Sequence, residues 1–205
     1  MSKAILSQLT IWALAAFLLV PHVYSGDAVI GEKAPDFTAA DSNGKTQNLA
    51  SYKGKIVVLE WLNRQCPFVK KHYDSGNMQK LQKNYTDKGA IWFAVISSAP
   101  GKQGYCTPEE ANSFVREKGA APTAVLLDTQ GMVGKLYGAK TTPHMFIINA
   151  AGVLVYDGAI DDTPSTDIAD IATAKNFVES ALDEILAGRP VTVATSQPYG
   201  CSVKY

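Results

Sequence analysis

Apolar residues in this chain fall in short runs separated by turn residues, and their period changes from run to run. "IVVLEWL", Ile56 to Leu62, is β-branched and apolar for most of its length, the pattern of a strand buried on both faces. "AIWFAVIS", Ala90 to Ser97, predicts a second buried strand, and "TAVLL", Thr123 to Leu127, a third. Between the first two, a helical stretch opens near Cys66, weakens at Ser75-Gly76 and resumes through "MQKLQKNY". Thr107, Pro108 and Glu110 stand where an N-cap, a first-turn proline and a capping-box glutamate belong, so another helix starts there. "PHMFIINAAGVLVYDG" reads as a hairpin of two apolar runs around an Ala-Gly turn. From Ala174 to Leu186 apolar residues recur at helical spacing, and Gly188 and Pro190 end that helix.

Two segments flank this series. "GEKAPDFTAADSNGKTQNLASYKGK" predicts an N-terminal extended hairpin around Asn43-Gly44, and "VTVATSQPYGCSVKY" reads as a polar tail without periodicity. The whole order predicts an α/β domain with a mixed central sheet flanked by helices. A right-handed crossover sets the first two strands parallel, so the loop after the first lies at the sheet's carboxyl edge, where sites in such sheets are found. Cys66 is in that loop.

The start of the chain has a different pattern. Lys3 is the only charge before the apolar run "IWALAAFLLV", Ile11 to Val20, and Pro21 breaks it. The run is short for a bilayer span, and Val23-Tyr24-Ser25 offers the small residues of a signal-peptidase site. The expectation is a signal peptide over residues 1–25, a domain over 26–188 and a tail over 189–205, the mature protein being periplasmic or secreted without stable membrane association. Lysine plus arginine equals aspartate plus glutamate at 19 each, so nothing in the charge invites nucleic acid.

Export gives weight to the three cysteines, Cys66, Cys106 and Cys201, because an odd number leaves one free or only transiently paired. Their spacing and that of the three histidines fit no zinc template, and no metal or cofactor is implied. Cys66 opens a helix, where free amides and the helix dipole favour a thiolate, and Pro67 suits the first helical position. Lys70, one turn on, adds a cation on the same face. The alternative is a small buried hydrophobe. His72, six residues past Cys66, is expected to face solvent, and strand alternation points His144 away from whatever Thr142 faces. Asp161-Asp162 reads as the end of the hairpin or a cap.

"IVVLEWLNRQCPFV", followed by "KTTPHMFIINAAGVLVYDG", resembles the thioredoxin fold. With the "PGKQGYCTPEE" insert, it looks like the peroxiredoxin-like redoxin branch, the alkyl hydroperoxide reductase/thiol-specific antioxidant superfamily. The resemblance implies that Cys66 is the redox-active cysteine and that Pro143 is a cis-proline packed against it. It also implies that Thr142 offers a backbone edge to an extended substrate. Glu60 would be a buried proton acceptor or, alternatively, a solvated edge residue. A peroxiredoxin would carry threonine or serine at the place of Asn63, which can hydrogen-bond but differs, and proline at the place of Leu59. Val69 stands where thioredoxins have their second cysteine, and Lys70 where copper chaperones of this fold have theirs. The implied substrate is a peroxide or a protein disulfide, with an external thioredoxin-like thiol as donor. The resolving thiol is Cys201 from the tail or Cys106 from the insert, unless these two bridge each other or stand idle. The rival function is a redox-silent binding module for a peptide or metal.

Overall fold

The computed structural model describes residues 28–205, so the expected leader and its cleavage before Gly26 lie outside the described residues. An N-terminal hairpin pairs β1 (Thr38–Ala40) with β2 (Thr46–Asn48), turning through Asn43-Gly44 as expected. The central sheet holds β3 (Val57–Trp61), β4 (Ile91–Ile96) and β5 (Ala124–Leu127), then β7 (Met145–Ile148) and β8 (Leu154–Gly158). Its order is β5-β4-β3-β7-β8, with β3, β4 and β5 parallel and β7 and β8 antiparallel. It is the mixed sheet of a thioredoxin-like fold.

Every residue of β3 is buried, as a strand covered on both faces requires. Alternate side chains serve two cores. Val58, Trp92, Ile147 and Tyr156 face the layer built from α1 (Pro67–Asp74), α2 (Asn77–Asp87), α3 (Pro108–Lys118) and α5 (Phe177–Leu186). Val57, Leu59, Trp61, Phe93 and Phe146 face Phe37, Val133 and Tyr137, around α4 (Met132–Leu136). Each such side chain contributes about 1.5–3 kcal/mol by leaving water, and this fixes the register of the site-bearing strand.

Gly76, in the left-handed region at φ +77°, separates α1 from α2 where the periodicity weakens. The expected capping box is present: Thr107 N–H donates to Glu110 Oε2 at 2.9 Å, and Glu110 N–H to Thr107 Oγ1 at 3.3 Å. Helix α4 and the 3-10 turns Leu49–Tyr52 and Ile168–Ala172 have no counterpart in the expectations. The tail departs more. It is not an unstructured end, because Cys201–Ser202 forms β9 and pairs antiparallel with β6 (Thr141–Thr142).

Candidate active site

β3 runs at its carboxyl end into the loop Leu62–Gln65, and Cys66 is the N-cap of α1 with Pro67 behind it. Trp61 N–H donates to His144 O at 2.8 Å, which lays the chain just past Pro143 against the end of β3. The Thr142–Pro143 bond is cis. As a thiol, Cys66 donates to the Thr142 carbonyl at 3.0 Å, and its residue is fully buried. The tail completes the enclosure: in the β6–β9 ladder Thr142 stands opposite Cys201. Cys66, Thr142, Pro143 and Cys201, distant in sequence, thus form one cluster.

Burial opposes ionisation of Cys66. It is outweighed by donors aimed at the sulfur: the Cys201 thiol, the Val69 and Cys201 amides and the Thr142 hydroxyl, so the thiol titrates below its ordinary value. Cys201 moves the other way, to about 11, through burial and then its bond to Cys66 and that sulfur's charge, with Lys204 opposing. The two thiols are therefore unequal, and Cys66 ionises before Cys201. Cys106 is buried, and burial pushes its thiol up despite Arg64 nearby.

The expected tuning residues fare differently. The Lys70 side chain is exposed, and the lowering of Cys66 comes from hydrogen-bond donors instead. Asn63 is buried, but its Oδ1 accepts from Gln65 N–H at 2.9 Å, and its carbonyl accepts the Cys66 amide at 3.0 Å. Glu60 is a buried acid and not an edge residue. It accepts from Tyr73 at 2.7 Å, Trp92 at 2.8 Å and Gln82 at 3.0 Å, and burial raises its carboxyl despite them. Its bonds join β3 to α1, α2 and β4.

His72 is a correction. It is fully buried, because α1 is covered on this side as well: Nδ1 meets Asn77 at 2.9 Å, and Nε2 meets Tyr199 at 3.4 Å and Asp161 at 3.9 Å. Lys71, also buried, reaches Thr163 O at 3.0 Å and Asp161 at 3.9 Å. The Tyr199 hydroxyl donates to Asp161, and its ring packs on Phe68 at 5.8 Å. Asp161 is thus the hub that ties the tail to α1, and sequence reasoning missed this role and that of Tyr199, whereas the tight approach that Gly200 allows beside Cys201 was legible. An aromatic and a glycine beside the cysteine of a polar tail were the available signal. His144 Nδ1 accepts from Lys140 N–H at 3.2 Å, so Nε2–H donates to Asp157 Oδ1 at 2.7 Å, outside the sulfur cluster.

Burial holds His72 at about 4, with Asp161 opposing and Lys71 assisting, against 6.5 for the free side chain. The folded chain binds this proton less tightly than the unfolded one, so the stability it carries is full above 6.5 and is lost as pH falls toward 4. Between about pH 7 and about pH 4.5 the loss amounts to about 2–3 kcal/mol at 1.36 kcal/mol per pKa unit. Denaturant titrations at both pH values will show this drop in the wild-type chain and a smaller one in His72→Gln.

The sequence profile of the AhpC/TSA family matches residues 30–157, more than half of the chain. The chain belongs to the AhpC/TSA family. Among solved structures, this AhpC/TSA chain is similar to an uncharacterized conserved protein from Geobacillus kaustophilus. The two share 28% identity at a TM-score of 0.72, over 86% of this chain and 92% of that one. Among curated relatives it is 28% identical over 135 residues to the thiol-disulfide oxidoreductase ResA of Bacillus subtilis (strain 168), covering 65% of this chain and 70% of ResA. It is 30% identical over 96 residues to the probable glutathione peroxidase 5 of Arabidopsis thaliana, covering 44% of this chain and 51% of that protein. The family and these relatives place the chain among the oxidoreductases of the redoxin type. Among the described residues no helix is long and apolar enough to cross a membrane.

Proposed function

We propose that the chain is an exported thiol oxidoreductase in which Cys66 attacks a peroxide or a protein disulfide and Cys201 resolves the product. One observation carries this reading: β9 sets Cys201 directly opposite Thr142, whose carbonyl accepts from the Cys66 thiol, and the two thiols differ in acidity in the sense the reaction needs. With a peroxide, the Cys66 thiolate takes one oxygen, the O–O bond breaks, and a sulfenic acid forms as the other oxygen leaves protonated. Cys201 then attacks that sulfur, the S–S bond forms, and the hydroxyl departs with the Cys201 proton as water. With a disulfide, the first product is a mixed disulfide, which Cys201 resolves by the same attack. An external thioredoxin-like dithiol returns the pair to the reduced state. The apolar leader supports the periplasmic or secreted location, where such a pair can stay oxidised.

Disulfide mapping before and after a stoichiometric pulse of hydrogen peroxide tests the reading. The expected product is one intramolecular Cys66–Cys201 link with Cys106 still free. A Cys106–Cys201 link would overturn it and favour a structural bridge beside a lone working thiol, and no link at all would overturn it and favour a redox-silent module.

A further inference from the structure

The edge beside Thr142 is filled by the chain's own tail. The β6–β9 ladder is two residues long, and around it Val203 N–H donates to Lys140 O at 3.0 Å and Ala99 N–H to Lys204 O at 2.8 Å. Tyr205 closes the end, its hydroxyl donating to Ala139 O at 2.8 Å and its ring lying where a side chain at Gly134 would have to go. Cys66 is shut off from solvent beneath this strand, whereas Cys201 keeps partial exposure.

The residue before the tail cysteine meets the tightest restriction. Gly200 sits at φ +137°, a conformation L side chains rarely adopt, and a Cβ there would collide with the Thr142 carbonyl. The carbonyl belongs to the groove and not to the tail, so the exclusion applies to any segment that follows the backbone path of Gly200 past Thr142. One residue earlier, Phe68 and Asp161 form a seat for an aromatic ring bearing a hydroxyl.

We propose that this edge is a docking groove for an extended segment of a partner protein in which glycine directly precedes the reacting cysteine, and that the tail is its resident occupant. This rests on Cys66 being the attacking thiolate. A partner disulfide engages when the tail leaves. The Cys66 sulfur then bonds to the cysteine that follows the partner's glycine, the partner's S–S bond breaks, and its electron pair departs on the other sulfur as a thiolate. No further oxidant is required.

The test uses the full chain carrying Cys201→Ser, which keeps the tail and removes its thiol, with and without Gly200→Ala to unseat the strand. Three probes are compared: the peptide SQPYGCSVKY with its cysteine activated as a thionitrobenzoate disulfide, the same peptide with alanine in place of glycine, and the small reagent dithiobis(nitrobenzoate). Mass mapping identifies the sulfur labelled. Cys66 of the unseated chain is expected to take the glycine peptide about tenfold faster than the seated chain does, and about tenfold faster than it takes the alanine peptide. Equal rates for the two peptides, or no gain from Gly200→Ala, overturn the proposal. If dithiobis(nitrobenzoate) labels Cys66 in neither the wild-type chain nor the unseated one, the thiolate reading itself falls and the docking groove with it. Tyr205→Ala in the Cys201→Ser background loosens the tail from its far end without altering its seat at Thr142. It must show the same peptide preference, which covers the case of Gly200→Ala failing to fold.

Discussion

Cys66→Ser will lower turnover of peroxide or disulfide on the order of a thousandfold or more, because the serine hydroxyl does not ionise in the range where the thiol does. Cys201→Ser is expected to behave differently. Its Cys66 still attacks, so one equivalent of oxidant is consumed per chain, and the product is trapped as a sulfenic acid or mixed disulfide that dimedone or mass mapping detects. Cys106→Ser should leave the rate unchanged, since that thiol is buried, raised by burial and bonded to neither of the others. The assignment of roles rests on acidity as well as position, Cys66 being lowered and Cys201 pushed up to about 11. If Cys66→Ser kept most of the turnover while Cys201→Ser lost it, the order of the two sulfurs would be reversed.

The sheet was legible because its strands are buried on both faces. A run such as Ile56–Leu62 has no polar face to confuse the period, and the structure trims it only to Val57–Trp61. Cys66 at a strand-to-helix junction was legible for a related reason: strand end, Pro67 and helix start are all local signals. The tail was not. Its order comes from partners far away along the chain, Thr142, Asp161, Ala99 and Ala139, and a two-residue strand leaves no period to read.

Local reasoning also failed within α1. The expectation that His72 faces solvent treats the helix as having one buried side, whereas Val69, Lys71, His72 and Tyr73 are all buried. The segment from Asp161 to Ser165 and the tail cover the side that a lone helix would expose. For the same reason the lysine that matters for packing is Lys71, inside the Asp161 cluster, and not Lys70 on the surface. Sulfur acidity follows the same lesson: the donors that lower Cys66 include two groups of Cys201, which no spacing rule around residue 66 could supply.

Glu60→Ala will cost about 3–4 kcal/mol, a drop in Tm of about 10 °C in a chain of this size. The carboxyl is the shared acceptor of Trp92 Nε1, Tyr73 OH and Gln82 Nε2, all buried. Removing it strands three donors at about 1–3 kcal/mol each and opens a void between β3, β4 and α1. The sum is reduced because Tyr73 and Gln82 still bond each other at 3.1 Å and the buried carboxyl no longer has to be desolvated. Glu60→Gln should cost about 1 kcal/mol. Its one oxygen can serve the two N–H donors, Trp92 and Gln82, while its amide donates to the Tyr73 hydroxyl, which can turn to accept. The two variants also separate by pH. Burial raises the Glu60 carboxyl above 4.5, so the folded chain binds that proton more tightly than the unfolded one. Its contribution to stability is therefore full below 4.5 and declines as pH rises through the raised value. Glu60→Gln removes that decline, so its deficit against wild type must shrink from acidic to neutral pH in paired thermal melts. A deficit that grew instead would mean the carboxylate, and not the acid, is the form the fold prefers.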